Sequence, residues 1–167
     1  MSFIEVKNLN KTYSSGNIEV QAVKNVSFEI EKGEVVVIVG ASGAGKTTLL
    51  NLLAGILTPS AGSIQLLGQA LERLSGARRD RLRADHMGVI FQQFNLLPYL
   101  SVRENIQLPC EFSAQRKRQA GNLSLSTAHL LQQLGLEADL GRRAVTDLSV
   151  GQQQRVALAR AWALRPD

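Results

Sequence analysis

The chain has 167 residues, 44% of them hydrophobic and 20% charged, with a net charge of +5. That is one ordinary domain's worth of globular chain, with enough apolar material to bury a core, and it excludes a disordered or fibrous class. The one cysteine, Cys110, excludes an internal disulfide and agrees with a reducing compartment.

The start, MSFIEVKNLNKTY, has no long apolar stretch of the kind a secretory leader needs. The longest apolar runs fall far short of the roughly 20 residues that span a bilayer. Any service to a membrane is therefore expected to be that of a soluble partner. The basic residues cluster at Arg78, Arg79, Arg81 and Arg83, at Arg116, Lys117 and Arg118, and at Arg142 and Arg143. No aromatic residues interleave with them, which argues against single-stranded nucleic acid as a partner. They read as solvated helix faces, with contact to nucleic acid or to an anionic membrane face as the alternative.

Taken in chain order, Phe3–Val6 reads as a short strand. Val23, Asn25 and Ser27 alternate against Val26, Phe28 and Ile30, a second strand. Lys32–Glu34 is a turn. Val35–Val39 (VVVIV) is continuously apolar and predicts a strand buried on both faces, as in a parallel sheet. A glycine-rich loop follows, then KTTLLNLLAGI, whose Leu49, Leu50, Leu52 and Leu53 suit a buried helix. Thr58–Gly62 (TPSAG) ends it. SIQLLG predicts another strand, residues 71–86 one exposed arginine-rich helix, and Met87–Phe91 (MGVIF) a second buried strand. Helical patterns fill Ser101 to Leu140. Among them STAHLLQQLGL places Leu130, Leu131 and Leu134 on one face and stops at Gly135. No internal repeat, heptad array or low-complexity linker is visible.

The glycine-rich loop carries the chemistry. Gly40–Thr47 (GASGAGKT) fits G-x-x-x-x-G-K-[ST] at every fixed position. A triphosphate concentrates several negative charges in a small volume. Backbone N–H groups from Ser42 to Lys46 can curl around it only where side chains stay small, as at Gly40, Ala41, Ser42, Gly43, Ala44 and Gly45. A helix opening near Gly45 turns its positive dipole end toward the phosphates. Lys46 would reach the outer phosphates, the Thr47 hydroxyl would ligate Mg²⁺, and Thr48 could add an oxygen contact. The loop alone does not separate kinases, GTPases and transport ATPases.

The C-terminal stretch does. LSVGQQQR (Leu148–Arg155) resembles the L-S-G-G-Q signature of ATP-binding-cassette (ABC) ATPases, and RVALARAWALRPD resembles the helix after it. Tyr13, the phosphate loop, Gln92 in VIFQQFNLLP and the signature fall in that family's order, and the resemblance covers essentially the whole chain. MGVIFQQFNLLPYLSVRENIQLP is most similar to the lipoprotein-release and macrolide-exporter ATPases.

The resemblance implies an α/β phosphate-loop ATPase with an antiparallel β subdomain, a RecA-like core lacking its C-terminal strands, and a helical subdomain. It implies one incomplete ATP-binding domain: about 1–95 the β subdomain and nucleotide core, about 96–150 the helical subdomain, about 151–167 the signature helix. It implies MgATP as ligand, with Tyr13 stacking on adenine and Gln92, rather than the adjacent Gln93, sensing the γ-phosphate and Mg²⁺. Phe94 to Val102, with Leu97, Tyr99 and Leu100, would border a groove for a membrane partner; ordinary core packing is the competing reading of these residues. Ser149, Val150, Gly151 and Gln152 would face an ATP held by a second subunit. Ser149 and Gln152 also fit a capping box at a helix start.

The implied partners are a second ATP-binding subunit, as in a homodimer, and membrane-spanning permease subunits, with no nucleic acid. The implied place is the cytoplasmic face of the cell membrane.

Two departures stand out. Val150 occupies the first signature glycine's place, where a β-branched residue would resist positive φ and weaken ATP-driven dimerisation. The family continues past LRPD with an apolar strand carrying an aspartate for Mg²⁺ and a glutamate that activates water, and later a switch histidine. These 167 residues show none of them, and His86 and His129 read as ordinary surface or helix residues. Hydrolysis is then expected to be very slow and no residue is assigned as catalytic. VVVIV and MGVIF would lack their shared neighbours and lie uncovered, leaving the 167 residues alone marginally stable.

The reading is the ATP-binding subunit of a membrane exporter or extractor. Its competitor is a fragment that binds nucleotide without turnover. A chromosome-maintenance ATPase is disfavoured, since no coiled coil separates loop and signature.

Overall fold

The computed structural model describes residues 2–162. The chain divides into two compact units, Met1–Asp80 and Arg81–Asp167.

The first unit is built on an antiparallel sheet. Strands β1 (Ile4–Ser15) and β2 (Ile18–Ile30) form a long hairpin. Gly16 takes φ 57° at the first loop position, as the tight primed hairpin turns require. Strands β3 (Ala61–Leu66) and β4 (Gln69–Ala70) complete the order β2-β1-β3-β4. Both the FIEV and SIQLLG strands are therefore present, the first longer than expected.

The alternation along β2 changes phase because Asn25 sits at φ 46°, opposite a stretch of β1 where the register shifts. Val23 is consequently buried, while Val26 is only half-buried. Val6, Leu9, Ile64, Leu66 and Leu71 bury the inner face.

The strand expected at Val35–Val39 is not formed. The segment is irregular, and Val35 and Val39 are 93% and 89% exposed. A run that is apolar on every side needs ladder partners on both edges and cover on both faces. No strand among the described residues pairs with it. Strand propensity in the residues themselves does not substitute for neighbours.

The turn at Lys32–Gly33 is formed and is closed by the Glu31 amide donating to Glu34 Oε2 at 2.7 Å. Helix α1 (Lys46–Leu53) follows the glycine-rich loop. It buries Leu52 and Leu53 but leaves Leu50 exposed, so only one face is covered.

Residues 71–86 form two pieces rather than one helix: a 3-10 turn (Leu71–Arg73) and helix α2 (Gly76–His86).

The second unit is helical: α3 (Val102–Phe112), α4 (Ala114–Ala120), α5 (Leu123–Gln133) and α6 (Val150–Trp162), with short 3-10 turns at Ala138–Arg142 and Val145–Asp147. Its core gathers Val102, Ile106, Leu131, Leu136, Leu140, Val145, Leu148, Val156 and Ala159. Leu130 and Leu134 pack against it, and Gly135 at φ 64° stops α5, both as the pattern predicts.

Met87–Phe91 is irregular, with Ile90 47% exposed, and is the second expected strand not formed. Like Val35–Val39, it has no ladder partner among the described residues.

Arg116 corrects the reading of its cluster as a solvated face. It is 2% exposed, and its guanidinium donates to the carbonyl oxygens of Met87 (2.5 Å), Asp85 (3.3 Å) and Arg83 (3.5 Å). Arg83 and Asp85 lie in the last turn of α2 and Met87 directly follows it, where a helix end leaves carbonyls to be satisfied. A cation there also meets the negative end of the dipole.

Candidate functional site

In the first unit, the loop Gly40–Gly45 leads directly into α1. Gly43 and Gly45 take φ 81° and 82°, conformations that L side chains resist, so the two glycines let the loop turn tightly before the helix. At Gly45 the reason is doubled, because a Cβ would lie 2.0 Å from the carbonyl oxygen of Ala22 in β2.

Lys46, the first residue of α1, curls back over the loop. Its ammonium donates to the carbonyl oxygens of Gly40 and Ala41, each at 2.7 Å. The positive charge is thereby held at the loop mouth, together with the N-terminal amides of the helix. The Ala44 amide donates to Ala41 O at 3.2 Å and tightens the loop. The Thr47 side chain lies on the exposed side of the first turn and Thr48 is half-buried.

Tyr13 lies in β1 opposite Val20, near the hairpin end, and is 42% exposed. The Lys11 ammonium sits 5.2 Å from its ring centroid. An aromatic face at a strand end, partly open to solvent, can stack on a planar base.

In the second unit, Gln92 and Gln93 are both exposed in a tight turn after Met87–Phe91. Phe94 and Asn95, which follow, both take positive φ, 59° and 48°. For residues other than glycine this costs on the order of 1 kcal/mol or more each, so surrounding contacts must hold them.

The next stretch is pinned by Asn105, fully buried in α3. Its side chain accepts from the Leu97 amide at 2.8 Å and donates to the carbonyl oxygens of Leu97, Leu100 and Ser101 at 3.0 to 3.2 Å. Tyr99 is left 78% exposed, while Leu97 and Leu100 are half-buried, so this stretch divides between packing and surface. Ser101 opens α3 with a full capping box to Glu104, and these hydrogen bonds hold the Glu104 carboxyl below the usual carboxylate range.

The signature begins at Leu148, which is buried in the helical core and fixes where α6 starts. The capping box read from the sequence is present. The Ser149 amide donates to Gln152 Oε1 at 2.9 Å, and the Gln152 amide donates to Ser149 Oγ at 3.3 Å. Ser149, Val150 and Gly151 are exposed.

Val150 does not carry the strain expected of it. It is the first residue of α6 and is not among the residues with positive φ, so its backbone suits a β-branched residue. What stays of the argument is bulk: the side chain is 71% exposed at the mouth of the helix.

Sequence reasoning missed Asn105, Arg116 and Arg160. Arg116 and Arg160 act on backbone carbonyls distant in sequence, and Asn105 on carbonyls of the irregular stretch before its own helix; no local pattern marks such contacts. The end of the signature stretch, Ala163 to Asp167, lies outside the described residues.

The family model described as ABC transporter matches residues 23–167. The chain is 41% identical over 168 residues to the lipoprotein-releasing system ATP-binding protein LolD of Xylella fastidiosa, covering 98% of this chain and 67% of that protein. It is 39% identical over 158 residues to the macrolide export ATP-binding/permease protein MacB of Shigella flexneri, covering 95% of this chain and 24% of that one.

Its structure superposes on the dimeric structure of the ABC transporter cassette MJ0796 with a TM-score of 0.85 at 37% identity, covering 98% of this chain and 70% of that one. A post-hydrolysis form of the same cassette, bound to ADP and Pi, matches with a TM-score of 0.84 at 36% identity, with the same coverage. The chain belongs to the ABC transporter ATP-binding family.

Proposed function

We propose that this chain binds MgATP through Gly40–Thr48 and serves a membrane transporter that exports or extracts its substrate. The observation that carries the reading is the loop itself. Two positive-φ glycines, a lysine ammonium hydrogen-bonded to the loop carbonyls and a helix N-terminus come together in one short segment, a combination that favours an anionic ligand. In this reading Lys46 and the amides of Ser42 to Lys46 hold the phosphates. Thr48 adds an oxygen contact, and Tyr13 stacks on the adenine.

Mg²⁺ fits the donors present. The Thr47 hydroxyl is a hard oxygen donor on the exposed first turn. No group of three or more His, Cys, Asp or Glu that could hold a metal occurs among the described residues. Mg²⁺ suits such a site, because it accepts few protein ligands and takes the rest from phosphate and water. When bound it neutralises phosphate charge. Gln92 is the proposed reporter of the γ-phosphate and metal.

Ser149, Gly151 and Gln152, with Val150 beside them, present the N-terminus of α6 to an ATP held by a second copy. The remaining partners are membrane-spanning permease subunits, with Tyr99 and its neighbours at the contact, on the cytoplasmic face of the membrane. No helix among the described residues is long and apolar enough to cross a membrane.

The test is calorimetric titration of MgATP into the chain and its Lys46→Ala and Thr47→Ala variants, with phosphate release measured alongside. Saturable binding that Lys46→Ala abolishes supports the reading. Binding indifferent to Lys46 contradicts it.

A further inference from the structure

We infer that Arg160 is a positioning residue for Gln92, gripping the Gln92–Asn95 turn from the last turn of the signature helix. The inference rests on the nucleotide-binding reading above and adds a residue to it.

Two contacts carry it, both inside the helical unit. Arg160 Nη1 donates to Asn95 O at 2.7 Å, and Nη2 donates to Phe94 O at 2.5 Å. The accepting residues are the two that take positive φ directly after the glutamines. A planar guanidinium fork suits two adjacent carbonyls, and it holds a conformation the backbone would otherwise leave.

The second contact lies on the other side of the glutamines. A Cβ at Gly88 would meet Ala161 O at 2.4 Å, so the chain entering the turn runs hard against the residue after Arg160. The last turn of α6 thus brackets Gln92 before and after.

The opposite end of α6 is the Ser149–Gln152 capping box, and Val156, Ala157 and Ala159 bury the helix between its two ends. Thirteen residues of α-helix form a rod about 20 Å long. Displacement at the signature end is therefore carried to the glutamine turn. Arg160 need not touch nucleotide; it acts through where it holds Phe94 and Asn95. Partial burial lowers its pKa from the ordinary arginine value.

The protein carries its own reporter. Trp162, the chain's single tryptophan, is two residues beyond Arg160 and half-exposed. The experiment titrates the full chain with ADP and with a non-hydrolysable imido analogue of ATP, each with Mg²⁺. Calorimetry gives the affinities and Trp162 emission reads the last turn of α6.

The expected result is a preference for the analogue and an emission difference between the two nucleotides in the wild type. Gln92→Ala and Arg160→Met each lower the preference about tenfold and remove the emission difference. The double variant loses about tenfold, not about a hundredfold, because the two residues act as one unit. Arg160→Lys keeps charge and packing but reaches as a single ammonium, so it falls between wild type and methionine with an unchanged melting temperature.

Additive losses in the double variant, or a lysine variant with the full wild-type preference, overturn this inference alone. A wild type that binds neither nucleotide overturns the nucleotide-binding reading and this inference with it.

Discussion

Replacing Gly45 by alanine should damage the phosphate loop far more than the same change at Gly43. The two glycines have nearly the same backbone, φ 82° and 81°. The left-handed penalty for an added Cβ, on the order of 1 kcal/mol, is therefore common to both. They differ in what the Cβ meets. At Gly43 nothing lies within 4 Å, whereas at Gly45 the new atom would be 2.0 Å from Ala22 O and 3.1 Å from Ala22 C. Both are backbone atoms of β2 and cannot rotate away, so either α1 or β2 must move. Such overpacking typically costs about 1–3 kcal/mol beyond the backbone penalty.

Gly43→Ala should thus weaken MgATP binding roughly fivefold, and Gly45→Ala by about a further 5- to 140-fold, at about 1.4 kcal/mol per decade. Calorimetric titration of both variants, with circular-dichroism melts as a folding control, measures the difference. Equal losses would refute the reasoning, since they would mean that contact with β2 does not constrain the loop.

Other expectations follow from single contacts. Arg116→Met keeps the volume but strips three carbonyls at the end of α2 and just past it of a charged donor. It should cost about 3 kcal/mol, on the order of 10 °C in melting temperature, by thermal denaturation. Ser149→Ala removes half of the α6 capping box and should cost about 1 kcal/mol in a denaturant titration.

Burial alone would raise the Asp85 carboxyl, but hydrogen bonds from Ser113 and Arg81 outweigh it and hold it below the usual carboxylate range. Its stabilising contribution is therefore full above the unfolded value near pH 4 and is lost as pH falls through the lower folded value. Melts between pH 2 and 6 should show a shallower acid slope for Asp85→Asn. Burial also pushes the Cys110 thiol up and leaves it 3% exposed, so thiol reagents at neutral pH should label it only after denaturant is added.

What could be read from the residues divides by range. The glycine-rich loop before α1, the α5 stop and the Ser149–Gln152 box are set by neighbours a few positions apart, and each is found where the pattern places it. Val35–Val39 and Met87–Phe91 failed as strands because an apolar run becomes a strand only when other chain segments supply its ladders and cover. Arg116 was misread because charge clusters usually face water, and its partners lie 29 to 33 positions earlier. Arg160 binds residues 65 and 66 positions away, inside a stretch whose local pattern says only helix. Val150 was misjudged in the opposite sense. A motif glycine suggests a special backbone, but the helix simply begins there.

If the Gly40–Thr48 loop, with Lys46 at its mouth, is a nucleotide site, MgATP titrated into the chain in a calorimeter must bind there, and the same titration with Lys46→Ala at matched helicity must not show it. The prediction is saturable one-site binding that the variant loses. Absence of binding by the wild type, or equal binding by both, would contradict it.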